Sequence, residues 1–159
     1  MSGDADTGAH LALSHVTDIF VEVDAPLEFG PTPAGFRRTV PIRGGYFRGP
    51  LLRGEILPGG ADWQVTRPDG VTEVVARYAL RTDDGALIHV VNRGFRHGPA
   101  DVMRRLAAGE EVPPDAYYMR TSPRFETAHE DYAWLNRTIF VARGIRYPRQ
   151  VVIKVFAVD

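Results

Sequence analysis

The chain has 159 residues, 44% of them hydrophobic and 25% charged, the proportions of an ordinary globular domain long enough to bury a full core. Its formal net charge of -1 provides no global field to hold nucleic acid or an anionic membrane. It has no cysteine, which excludes disulfides, thiolate nucleophiles and Cys-ligated metals.

Residues 1–10, MSGDADTGAH, are small and polar and read as a disordered tail. They lack the basic stretch and apolar core of a signal peptide. No apolar run reaches the roughly 18 residues of a membrane span. The expectation is a cytoplasmic protein with one domain over residues 11–159.

The stretch 11–24, LALSHVTDIFVEVD, predicts a strand with Ile19, Val21 and Val23 on one face. Residues 28–38 hold two prolines and two glycines and read as a loop. Residues 39–50 and 51–60 read as short strands cut by glycine, and 61–70 as a strand closed by Pro68-Asp69-Gly70. Strands at 71–82 and 86–94 flank Asp83-Asp84-Gly85, the clearest hairpin in the chain, because Asp-Gly supplies the positive φ of a tight turn. Residues 99–114 predict one short helix near 100–109, with Val102 and Leu106 on its inner side, Gly109 as C-cap and Pro113 as a stop. Further strands are expected at 116–121, 134–144 and 150–159. Many short strands and one helix point to an all-β fold, a sandwich or a barrel. Strands with mixed polar and aromatic faces favour a single antiparallel β-barrel that encloses a ligand.

Several residues are candidates for chemistry. Alternation from Trp134 sends Trp134, Asn136, Thr138 and Phe140 to one face, two rings with an amide and a hydroxyl. That face is either the wall of a small-molecule pocket or a core Trp beside a satisfied amide. Asp62 lies between Gly59-Gly60-Ala61 and Trp63. It is either a general acid or base whose pKa apolar surroundings raise, or a cap that fixes the glycine loop. Arg77 and Arg81 project together, as an outer salt-bridge ladder or an inner anion clamp. Arg120 and Glu126 are expected to form a buried pair across Ser122-Pro123, which either holds the loop or binds a carboxylate or phenolate. Tyr118 shares a strand face with Arg120, and Tyr78 shares one with Val74, Ala76 and Leu80. The five histidines show no metal-ligand spacing, and phosphate-loop, dinucleotide and serine-nucleophile motifs are missing, so neither metal nor cofactor is expected.

The segments GPTPAGFRRTVPIRGGYFRGP (30–50), LRGEILPGGADW (52–63), ARYALRTDDGALIHVVNRG (76–94) and YYMRTSPRFETAHEDYAWLNRTIFVARG (117–144) resemble the family called domain of unknown function 3237, or uncharacterised protein family 0311. The resemblance covers nearly all of the chain after residue 10. It implies a small β-barrel and no settled activity. The implied barrel is similar in general shape to allene oxide cyclase, dirigent and calycin-like proteins, the first two of which act on small apolar or phenolic molecules without a cofactor. The family motifs fall on Asp62, Trp63, Arg77, Asp84, Asn92, Arg120, Phe125, Glu126, Trp134 and Asn136, and assign them no roles.

The expected activity is therefore cofactor-independent acid-base chemistry, of isomerase, cyclase or lyase type, on an oxygenated, partly apolar molecule. Asp62, Glu126 and Arg120 are the catalytic candidates. Trp63, Tyr78, Asn92, Tyr118, Trp134 and Asn136 are the substrate-binding ones. The alternative is a barrel that binds a small molecule without turnover. Residues 151–158, VVIKVFAV, are apolar on both faces and predict a homodimer; a monomer by light scattering at micromolar concentration would contradict that.

Overall fold

The computed structural model describes residues 8–159; residues 1–7 of the expected tail lie outside the described residues. Ten strands form one antiparallel sheet: β1 (Leu13–Val23), β2 (Leu27–Thr32), β3 (Gly35–Arg48), β4 (Gly54–Ile56), β5 (Ala61–Thr66), β6 (Thr72–Thr82), β7 (Leu87–His97), β8 (Tyr118–Glu126), β9 (Phe140–Arg146) and β10 (Gln150–Val158). β1 pairs with both β10 and β3, which closes the sheet on itself. β4 and β5 share the position between β3 and β6, and β2 is appended to β3, so the wall is eight strands around. The expected antiparallel barrel is thus what the chain forms. One α-helix, α1 (Ala100–Ala107), follows β7 and ends near Gly109, as its sequence predicts.

Three local expectations fail for physical reasons. Residues 28–38 are not a loop but the hairpin of β2 and β3. Pro31 is tolerated because β2 is an edge strand, and Gly30, at φ +88°, forms a bulge in it. Gly44-Gly45 does not cut a strand either. It bulges the continuous β3 and switches the inward set from Val40 and Ile42 to Phe47. Likewise β8 runs straight through Ser122-Pro123. Its pairing with β9 is confined to Arg120 and Thr121, so the missing N–H of Pro123 breaks no bond on that side.

The largest revision concerns the expected strand from Trp134. Glu130–Arg137 is a 3-10 helical segment, and β9 begins only at Phe140. His129 Nδ1 accepts the Asp131 N–H, two acidic residues fill the first turn, and Arg137 lies in the last. The side chain fully buried here is Leu135, not Trp134 or Asn136.

The barrel interior has two unlike ends. At one end Ile19, Phe47, Leu80, Ile88, Phe125, Leu135 and Phe140 pack as a solid apolar cluster, with the Phe125 and Phe140 rings edge-to-face. Trp134 and Tyr132 close over that cluster from the 3-10 segment. Strand register carries the polar residues to the opposite end: Arg38 lies across from Gln64, Arg96 across from Thr72 and Met119, and Arg146 across from Val151. There α1 contributes Val102 and Leu106 to a small cluster with Val112, Tyr117 and Met119.

Candidate functional site

Between the two ends lies a cavity with about 40 Å³ of room for the centres of water-sized groups. Its wall is largely aliphatic, from Val21, Val40, Ile42, Val74 and Ile153 among others. Five polar side chains interrupt it: Asp62 from β5, Tyr78 from β6, Asn92 from β7, Thr121 from β8 and Arg146 from β9. Adjacent strands contribute them because alternate residues on each strand point inward. Room of this size accepts roughly three waters' worth of atoms, so it suits a small substrate or the reactive end of a larger one.

Four of these five side chains carry a buried atom without a hydrogen-bond partner among the described residues: Asp62 Oδ1, Tyr78 Oη, Asn92 Oδ1 and Thr121 Oγ1. Buried polar atoms are ordinarily satisfied. Four orphans on one apolar cavity are the pattern of a binding site, in which the ligand supplies the missing partners.

Asp62 is held from behind. Gln64 Nε2 donates to its Oδ2 at 2.7 Å. The same amide's Oε1 accepts from Arg38 Nε at 2.7 Å and from Arg96 Nη2 at 3.3 Å. Gln64 therefore ties one carboxylate to two guanidiniums and leaves Oδ1, on a residue that lines the cavity, without a partner among the described residues. Asp62 retains partial exposure as a residue, while Oδ1 itself is closed off. Burial raises its pKa above the ordinary 3.8; the Gln64 hydrogen bond and the charges of Arg96, Arg146 and Arg38 pull the other way without overcoming it. Burial, and then the Asp62 charge, raises Tyr78, which stays a neutral phenol. Burial and the proximity of the other guanidiniums lower Arg96 and Arg146, and burial lowers Arg38. All three remain cations at neutral pH.

Of the residues singled out in the sequence, Asp62, Tyr78 and Asn92 meet at this cavity. The others lie elsewhere. Trp63 and Tyr118 are on the outer face of the barrel, 46% and 45% exposed. Arg120 is also outside; its Nη1 donates to the Met119 carbonyl, and its guanidinium lies over the Tyr118 ring. Glu126 is exposed at the far end of β8, and no salt bridge joins it to Arg120 among the described residues. The expected buried Arg120–Glu126 pair is thus corrected: even-numbered residues of β8 point outward. Asn136 clasps the end of β8, accepting the Thr127 N–H and donating to the Thr127 carbonyl, both at 2.9 Å. Trp134 packs on the apolar cluster, its ring 6.1 Å from that of Phe140. Arg77 and Arg81 face outward, and Arg81 pairs with Glu55 at 3.1 Å, the outer ladder of the two readings. Asp84 accepts the Tyr132 hydroxyl and serves the hairpin.

Sequence reasoning missed Arg38, Gln64, Arg96, Thr121 and Arg146. The signal was available in the alternation itself. Arg38 is in phase with Val40 and Ile42, Arg96 with Val90 and Asn92, and Arg146 with Phe140 and Ala142. A charged residue in phase with an apolar strand face is a buried charge.

The match to the family model described as "Protein of unknown function (DUF3237)" spans residues 11–158. This chain belongs to that family. A UPF0311 protein of Rhodopseudomonas palustris is 42% identical over 148 residues, 93% of this chain and 97% of its own length. The crystal structure of a conserved protein of unknown function from that organism superposes with a TM-score of 0.89 at 41% identity, covering 94% of this chain and 98% of the other. A "beta-barrel like protein" of Acinetobacter baumannii follows at 0.82 and 38% identity, covering 94% and 97%. A structure described as an enzyme from Penicillium herquei has a TM-score of 0.70 at 18% identity, covering 94% and 95%, which shows a shared fold. Among the described residues of this DUF3237 protein no helix is long and apolar enough to cross a membrane.

Proposed function

We propose that this DUF3237 protein is a proton-transfer enzyme of isomerase, cyclase or lyase type, acting on a small oxygenated and partly apolar substrate in the barrel cavity. The observation that carries the reading is Asp62: one carboxylate oxygen fixed by Gln64, the other unpartnered at an apolar cavity, and a pKa raised by burial. A raised carboxyl pKa brings the group closer to the working pH, where an acid or base is most effective. A carrier's ligand can also satisfy orphan atoms, so what favours turnover is the combination at one carboxyl of a free oxygen and a pKa raised by burial, which binding alone does not require. That a protein of the same fold is described as an enzyme supports the reading.

The carboxylate of Asp62 takes a proton from the substrate, and the electron pair left behind moves onto a substrate oxygen. Arg146, on the same wall, steadies that developing oxyanion. The neutral Tyr78 phenol and the Thr121 hydroxyl donate hydrogen bonds, and Asn92 Oδ1 accepts one. The proton then returns from Asp62 to a different substrate atom. No electron leaves the substrate, so the cycle calls for no redox partner.

The test is a panel of enolisable and phenolic small molecules incubated with the protein in D₂O and followed by proton NMR. Deuterium uptake or conversion of at least one compound is expected. Asp62→Asn should slow it by about 10²-fold or more, the usual contribution of a positioned acid or base. Binding without exchange or conversion, equal in wild type and Asp62→Asn, would support the carrier instead.

A further inference from the structure

A second concavity, of about 660 Å³, opens at the polar end of the barrel. It lies between the β2–β3 hairpin, which contributes Glu28 and Phe36, the β5–β6 turn at Asp69–Thr72, and the start of α1, with Met103 and Arg104. Its floor includes Arg38 and Arg96. These two arginines are 8% and 5% exposed, and Arg146 beside them is 7% exposed. None of the three has a carboxylate within salt-bridge distance among the described residues. Asp62 reaches them only through space, because Gln64 occupies the position between, and Glu28 acts on Arg38 through space as well.

The donors are correspondingly under-used. Each guanidinium offers five N–H groups in a planar fork. Arg38 and Arg96 together share one neutral acceptor, Gln64 Oε1. Arg38 Nη2 and Arg96 Nε are buried with no acceptor among the described residues. Buried cations with no counter-charge bonded to them are costly, and a planar oxyanion that bonds both forks lowers that cost. The rim is suited to an anion. Arg104 adds to the positive side, Asp69 is engaged by Arg67 at 2.8 Å, and Glu28 is the remaining acid. Phe36, Val71 and Met103 supply apolar wall for a carbon skeleton.

We infer that this cleft is a carboxylate-recognition site, and that the substrate class of the barrel is a small carboxylic acid with an apolar body. Arg38 and Arg96 grip its carboxylate. Gln64, bonded to both and to Asp62, links the grip to the acid-base group. The substrate assignment rests on the proton-transfer reading above; the binding site itself does not.

The experiment is therefore run first on Asp62→Asn, which removes the proton chemistry and leaves the two arginines in place. Sodium benzoate, neutral benzamide, inorganic phosphate and chloride are compared at matched ionic strength by thermal shift and by ¹⁵N NMR of arginine Nε–H and glutamine side-chain groups. Benzoate should raise the melting temperature and shift the Arg38, Arg96 and Gln64 signals; benzamide and chloride should not. Arg38→Gln should weaken benzoate about tenfold or more, the worth of one charge-assisted hydrogen bond. The exposed Arg104→Ala, which spares the core, should weaken it a few-fold and keeps the test informative if Arg38→Gln fails to fold. An equal response to benzamide, a preference for phosphate, or no effect of either arginine substitution would overturn the carboxylate site. Benzoate binding without proton exchange in the wild type would instead count against the cavity chemistry alone.

Discussion

Replacing Asp62 by Asn should make the protein more stable at neutral pH while removing its capacity to transfer a proton. The folded-state pKa of Asp62 is raised from 3.8 because burial penalises the charged form. Between 3.8 and that raised value the folded chain holds a proton that the unfolded chain has released. Stability therefore falls as pH rises through this window, and the full penalty remains above it. Asn cannot ionise and escapes the penalty, and its amide retains an oxygen that can accept the Gln64 N–H. The melting temperature of Asp62→Asn should exceed that of the wild type at pH 7–8, with the gap closing as pH falls through this window and gone below about 4. Thermal unfolding across pH 3–8 measures it. A variant less stable than wild type at neutral pH would show that Asp62 is a structural counter-charge for the arginines, and would remove the ground for calling it catalytic. Stability given up at a working group is the usual relation between the two properties.

Gly45→Ala should cost about 2–5 kcal/mol of folding stability, the sum of backbone strain and overpacking. Gly45 has φ +128° at the bulge where β3 changes its inward-facing set. A Cβ there would overlap the Phe20 carbonyl oxygen of the neighbouring β1 and press on the Ile56 side chain. β1 and β3 are the pair that closes the barrel, so neither strand can retreat without opening the seam. Gly59→Ala is the control: it also has positive φ, +104°, but no heavy atom of the described residues lies within 4 Å of the added methyl. Urea unfolding should separate the two substitutions clearly. Equal losses would mean that backbone strain alone matters and that the β1–β3 contact is loose.

The fold was legible because its determinants are local. Short alternating runs, the Asp84-Gly85 turn and the capped helix after Pro99 each state their own structure in sequence. Glycine and proline misled where tertiary pairing decided their role, as at Pro31 on an edge strand and Gly45 at a bulge. The site was legible in half. Asp62, Tyr78 and Asn92 were found, and they lie on three consecutive strands whose inward sets meet. Trp134 and Asn136 were assigned to the cavity by an alternation that does not exist, since the 3-10 segment has a different period. The arginines were hidden for another reason. Alternation can mark each one as inward-facing on its own strand, but no local rule shows that they meet; only the closure of eight strands around Gln64 makes Arg38, Arg96 and Arg146 neighbours, and residues 38 and 146 are far apart in the chain.

The most direct measurement is a ¹³C NMR titration of the Asp62 side-chain carboxyl in the folded protein. A midpoint above 3.8 is expected, with simultaneous shifts at Tyr78 and Asn92 across the cavity. A midpoint at or below 3.8 would mean that the surrounding guanidiniums hold the group as a fixed anion, and the acid-base role assigned to it would be wrong.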